Sequence, residues 1–216
     1  MDYQQTDKTS SGASGGGTIV EENELNIYAK NKEIPEQLRY VILLSLSYYP
    51  ELLEVPIDFV FSRGIRNSVM LAQPRIGTMH KVRSERSYVI RMNRWLRLGG
   101  EQIKIETLPQ DVLIGWIGHE LGHIMDYLHR STLDMVKFGI GYSLSRKYIM
   151  EAERAADTFA VERGLASKLI ATKNFILDHA KISKKYKRKI RRLYLSPDDI
   201  MLLVEEAEAT AESERS

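Results

Sequence analysis

Apolar residues recur along this chain with two different periods, and each change of period marks an element. From Pro35 to Leu53 they fall at helical spacing (Leu38, Val41, Ile42, Leu46, Tyr49), which predicts a helix. Val55 to Gly64 alternates instead. Ile57, Phe59 and Phe61 share one side, Asp58, Val60 and Ser62 the other, and Gly64 stops the run, so a strand is predicted. "NSVMLAQPR" reads as a second strand ending near Pro74, and "SYVIRMNRW", Ser87 to Trp95, as a third. The helical period then returns. A long helix is predicted from about Pro109 to His129, with Pro109 suited to its first turn and Asp111 at its positive end. Its expected buried stripe is Leu113, Ile117, Leu121, Ile124, Met125 and Leu128. Further helices are predicted over Arg146 to Gly164 and Leu165 to His179. Ile182, Tyr186, Ile190 and Leu193 share another helical face, and Ser196 caps a last helix that has Pro197 at its first position. A helix, a few strands and then a run of helices is an α+β order.

Outside these elements the pattern fades. Residues 1–24 are polar and Gly/Ser-rich, cannot offset their ordering entropy, and are expected to be a disordered tail. Residues 25–208 are expected to form one domain, and 209–216 an acidic, frayed tail. The 216 residues suffice for one real core. A net charge of +2 gives no global field pointing to nucleic acid or a membrane. Cysteine is absent, which excludes disulfides, thiol catalysis and cysteine-ligated zinc. The longest apolar run, Tyr40 to Tyr49, is about half a membrane span, and the first residues lack the basic and apolar regions of a secretory signal. The expectation is a soluble, cytoplasmic protein with no membrane span.

Candidate chemistry concentrates in "GWIGHELGHIMDYLHR", Gly115 to Arg130. On a helix, residues four apart lie about 40° apart around the axis and about 6 Å along it. His119 and His123 therefore point the same way and can share one Zn2+. Glu120, about 100° from His119, stands beside the pair, where a carboxylate can take a proton from a metal-activated water as general base and pass it to a leaving amine. Gly115, Gly118 and Gly122 form a stripe next to the histidines. Three glycines cost about 2–3 kcal/mol against alanine, so another backbone or a substrate is expected close by.

Catalytic zinc takes three protein ligands and keeps an open position, and the sequence offers two candidates for the third. His119, His123 and His129 resemble the metzincin spacing, but metzincins have a helix-breaking Gly where this chain has Asp126. In a continuous helix His129 points about 120° away from His123 and lies about 9 Å further along. The other candidate is Glu153 in "EAERAADTFA". Glu153 and Asp157 face one side of a predicted helix, and Ala155, Ala156 and Ala160 let that helix pack closely. Glu153 would bind the metal and Asp157 would accept the Nδ1–H of a ligand histidine. Glu151 is a weaker substitute for Glu153, with no Asp four residues on.

"HELGH" followed by "ERAAD" resembles the gluzincin metallopeptidases, especially the HtpX-like family and the short soluble minigluzincins. The resemblance covers about Ser87 to Gly164. It implies zinc held by His119, His123 and Glu153, Glu120 as catalytic base, and Asp157 supporting a ligand. It also implies a zincin-like fold with a small twisted mixed sheet beside the active-site helix, a peptide or protein substrate, and "SYVIRMNRW" as the edge strand that pairs with substrate. HtpX-like enzymes are embedded in membranes and this chain has no spans, so their membrane substrates are not carried over. No oxyanion donor is assigned; Tyr142, Tyr148 and His179 are candidates.

"KISKKYKRKIRR", Lys181 to Arg192, holds eight basic residues in twelve positions. Its apolar stripe predicts a core-facing helix with a solvated basic back. Arg and Lys are also dense between Arg75 and Arg97, so a composite basic surface is the alternative. The rival function is accordingly a non-proteolytic zinc-binding regulatory protein that uses this helix to bind nucleic acid or a partner. Trp95 and Trp116 are expected in the core and His80 on the surface.

Overall fold

A computed structural model describes residues 22–63, 65, 68–98, 101–135, 145–178, 182 and 184–214. The elements are a helical turn α1 (Glu22–Leu25), β1 (Lys32–Glu33), α2 (Arg39–Ser47), β2 (Ile57–Phe61), β3 (Met70–Pro74), β4 (Tyr88–Met92), β5 (Trp95–Leu98), β6 (Glu101–Lys104), α3 (Gln110–His129), α4 (Arg146–Glu162), α5 (Ala166–Asp178), α6 (Lys184–Leu193) and α7 (Pro197–Glu214). The architecture is α+β with a small mixed sheet. Strands run β1-β2-β4-β3, with β1, β2 and β4 parallel and β3 antiparallel, while β5 and β6 form a separate hairpin.

The strands take the positions their residues favour. Ile57 and Phe59 turn into the core and Asp58 and Val60 are less buried, as alternation demands. Tyr88, Val89 and Ile90 are all buried and only Arg91 is exposed, so most of β4 is covered, the composition of an interior strand. The expected edge strand is thus corrected: "SYVIRMNRW" supplies β4, which lies between β2 and β3, and the edges are β1 and β3, with β3 beside α3. Nor is that segment one strand. Asn93 donates from Nδ2 to the carbonyls of Ile65 and Ser68, and the chain leaves the sheet to start the β5–β6 hairpin. Trp95 is 47% exposed, outside the core expected of it, whereas Trp116 is buried with its edge against Phe175.

α3 departs from the one-sided stripe its sequence predicts. Residues Val112 to Tyr127 are buried around the whole circumference. The helix contacts α2 and β3, and also α4 and α5. Burial of its large apolar side chains contributes about 1.5–3 kcal/mol each. The three glycines admit these neighbours. A Cβ on Gly115 would lie 2.2 Å from the Lys168 carbonyl oxygen, and one on Gly122 2.3 Å from the Ala156 carbonyl oxygen. Gly118 is covered by the Leu165 side chain, and its own carbonyl accepts the Tyr49 hydroxyl at 2.7 Å.

The helix ends follow local chemistry. Gly164 adopts φ +81° and ends α4 one turn before α5 begins. Ser196 Oγ accepts the Asp199 N–H at 3.1 Å, and Asp199 Oδ2 accepts the Ser196 N–H at 2.9 Å, a reciprocal cap for α7. That helix runs to Glu214, into the acidic segment expected to fray. The expected helix from Pro35 to Leu53 is interrupted at Pro50, which opens a short 3-10 turn. No described helix is long and apolar enough to cross a membrane.

Gly122→Ala should therefore destabilise the chain by about 1–3 kcal/mol despite the better helix propensity of alanine, because backbone rather than a mobile side chain blocks the new methyl. Gly77 has nothing within 4 Å of an added Cβ, and Gly77→Ala should stay within about 0.5 kcal/mol. Urea unfolding of both variants measures the difference.

Candidate metal centre

His119 and His123 stand one turn apart on α3 with ring centroids 4.7 Å apart. Across the Gly122–Ala156 contact, α4 presents Glu153. Its Oε2 lies 3.1 Å from His119 Nε2 and 3.5 Å from His123 Nε2. The donor atoms of the three residues all lie within 4.8 Å of one another, and all three side chains are buried. Two imidazole nitrogens and a carboxylate oxygen are donors of the type zinc accepts. At metal–ligand bonds of about 2.0–2.1 Å, tetrahedral neighbours are about 3.3 Å apart. The two separations from Glu153 bracket that value, so the group could hold a metal ion.

Asp157, one turn beyond Glu153, fixes His119 from behind. Its Oδ1 is 2.9 Å from His119 Nδ1. Its Oδ2 accepts Lys173 Nζ at 2.8 Å and the Leu195 backbone N–H at 3.0 Å. With Nδ1–H donated to Asp157, the nitrogen of His119 that can offer a lone pair once its proton is lost is Nε2, the atom facing Glu153. Lys173 also lies over the Tyr194 ring, 5.1 Å from its centroid.

The charges in this cluster shape one another. Burial opposes the His119 imidazolium, but the Asp157 and Glu153 carboxylates more than reverse this and raise its pKa to about 10. Burial likewise opposes ionisation of Glu153 and Asp157. The two histidines nonetheless hold Glu153 well below its usual range, and Lys173 with His119 holds Asp157 below its own. Glu120 moves the other way. Burial raises its pKa, and the neighbouring histidines offset this only in part.

Glu120 faces a cleft of about 770 Å3 whose wall runs along β3 from Met70 to Pro74. Arg75 donates its N–H to Ser87, and Val69 accepts from Asn93, so the odd positions of β3 bond to β4. Even positions in an antiparallel edge strand turn their backbone groups outward. Those of Ala72 point to α3: its N–H donates to Glu120 Oε2 at 2.6 Å, and its carbonyl accepts the Tyr127 hydroxyl at 3.4 Å. The same cleft is lined by His123, Glu153 and Tyr194.

The predicted residues His119, Glu120, His123, Glu153 and Asp157 are thus brought together. His129 is not. α3 continues through Asp126, whose carboxylate is held by Arg130 Nε at 2.9 Å. His129 Nδ1 lies 2.7 Å from the Met125 carbonyl, and its ring stacks on Phe159. Glu151 is exposed and pairs with Lys147. Of the candidate oxyanion donors, Tyr148 is 44% exposed and outside the cleft lining, while Tyr142 and His179 lie outside the described residues.

Sequence reasoning missed Tyr194 and Lys173. Burial first, then Glu153, pushes the Tyr194 phenol well above its ordinary value, so it stays a proton donor in the cleft wall. Lys173 lies on the buried side of α5 amid Leu169, Thr172 and Ile176, where a cation needs a fixed anion. Compared with protein-family models, with curated proteins and with solved structures, the chain matches none.

Lys173→Met removes the ammonium from buried Asp157, leaving it His119 and the Leu195 N–H, and should cost about 3–5 kcal/mol at neutral pH. The folded pKa of Asp157 is depressed, so its contribution is present above its unfolded value and lost as pH falls through the folded one. The deficit of the variant should accordingly shrink in acid. Urea unfolding of both proteins at neutral and acidic pH reads both effects.

Proposed function

We propose that the chain is a zinc-dependent metallopeptidase, with His119, His123 and Glu153 as zinc ligands and Glu120 as the general base. The observation that carries this reading is the convergence of two imidazole Nε2 atoms and Glu153 Oε2 beside the Glu120 carboxylate, in a cleft walled by an edge strand. A zinc ion held there would supply a Lewis acid that activates water and polarises a peptide carbonyl.

The chain's own side chains do the rest. Glu120 takes a proton from the attacking water and returns it to the leaving amine. Its raised pKa moves its proton affinity toward neutrality, where such a shuttle works best. Asp157 holds His119 in the tautomer that presents Nε2. The outward backbone of β3 can align an extended substrate by strand addition, once the Ala72 N–H exchanges Glu120 for the incoming chain. Tyr194, a protonated donor hydrogen-bonded to Glu153, would turn to the carbonyl oxygen as it gains charge.

Glu120→Gln should lower hydrolysis of an unfolded protein substrate by about 10²–10⁴-fold with zinc binding retained, as read by peptide release and metal analysis. Unchanged hydrolysis contradicts the assigned base. Zinc must also displace the proton that His119 holds up to about pH 10. Binding should therefore release a proton and tighten as pH rises toward that value. Calorimetric titration of Zn2+ in two buffers of different ionisation enthalpy measures the proton count.

A further inference from the structure

Beyond the cleft lies a larger groove, about 2140 Å3, between the β5–β6 hairpin, the N-terminal end of α4 and α6. Nine of its described lining residues are Arg or Lys, and none is Asp or Glu. With a chain charge of only +2, that is a strong local concentration of one sign. Lys185, Arg188 and Arg192 present exposed side chains from α6. Between the cations the lining is mostly apolar, with Ile65, Val69 and Leu193 among it, and carries Ser62, Ser68, Asn93 and Gln102 as well. Ser68 and Lys189 line both the groove and the cleft, so the two are continuous at the start of β3.

We propose that this groove binds an acidic, apolar-interspersed segment of the peptide substrate whose scissile bond lies in the cleft. The proposal rests on the peptidase reading and names its substrate class. An extended chain paired with β3 runs past Ser68 directly into the groove, where its carboxylates meet α6 and its apolar side chains meet the floor. A single-stranded nucleic acid fits less well, because it needs free aromatic faces for its bases. Each described aromatic ring of the groove already has a cation near one face. Arg94 lies 5.4 Å from the Phe61 centroid, Lys104 5.5 Å from Trp95 and Lys189 5.9 Å from Tyr186.

The test is fluorescence anisotropy with the Glu120→Gln chain, in which cutting should be slow enough for binding to be read. The probes are a labelled Glu/Leu-rich peptide, a length-matched Lys/Leu-rich peptide, and length-matched single-stranded DNA and RNA. The acidic peptide should bind most tightly and weaken with added salt. Lys185→Glu/Arg188→Glu/Arg192→Glu should weaken it about tenfold or more, with the thermal midpoint confirming the fold. The triple Gln variant gives the same reading with smaller charge change if the Glu variant unfolds. Tighter binding of an oligonucleotide, no binding of the acidic peptide, or binding indifferent to these substitutions each overturns the proposal. Cleavage of neutral peptides by the unsubstituted chain alongside any such result leaves the peptidase reading intact. An acidic peptide that binds the groove but is never cut does the reverse.

Discussion

The structure depends on the contact between α3 and α4 at Gly122. There the Ala156 carbonyl occupies the volume that any side chain on residue 122 would need. Only at that separation can a glutamate one turn before Ala156 reach two histidines on the facing helix, while Asp157 reaches the back of the nearer one. Gly115 repeats the device against α5 at Lys168, and Lys173 on that helix closes the cluster from its far side. Glycine weakens a helix, and here the lost propensity is exchanged for the approach of two backbones.

Such packing makes the polar centre tolerable. Five ionisable side chains (His119, Glu120, His123, Glu153 and Asp157) lie 9% exposed or less in the middle of a hydrophobic core. Each isolated charge there would be costly. They are arranged instead so that each carboxylate but one is bonded directly to a cation or an imidazole. The exception, Glu120, takes a backbone N–H and keeps a raised pKa. The residue with the least electrostatic support is thus the one whose proton the proposed reaction moves, which follows the general association between perturbed pKa and chemistry.

Much of this was legible in the sequence, for reasons of range. The register of His119, Glu120 and His123 is local helix geometry. So is the shared face of Glu153 and Asp157, and small residues on both helices mark where two backbones meet. The non-local features were hidden. Strand order cannot be read from alternation, so β4 was mistaken for the edge although its run of buried Tyr88, Val89 and Ile90 carried the hint. The two-residue β1 and the β5–β6 hairpin are too short to show a period. Lys173 reads as a surface residue until its partner, sixteen positions upstream, is seen to be buried with it. Tyr194, at the end of a basic helix, comes to the cleft only through the packing of α6 on α4.

The central claim is the ligand set, and zinc-edge X-ray absorption of the chain loaded with one equivalent of Zn2+ tests it most directly. The account predicts two imidazole nitrogens and one carboxylate oxygen from the protein at about 2.0–2.2 Å, with the carboxylate contribution lost in Glu153→Ala and the spectrum unchanged in His129→Ala. A shell of three imidazoles that loses one in His129→Ala, or a shell without protein nitrogen, would contradict it.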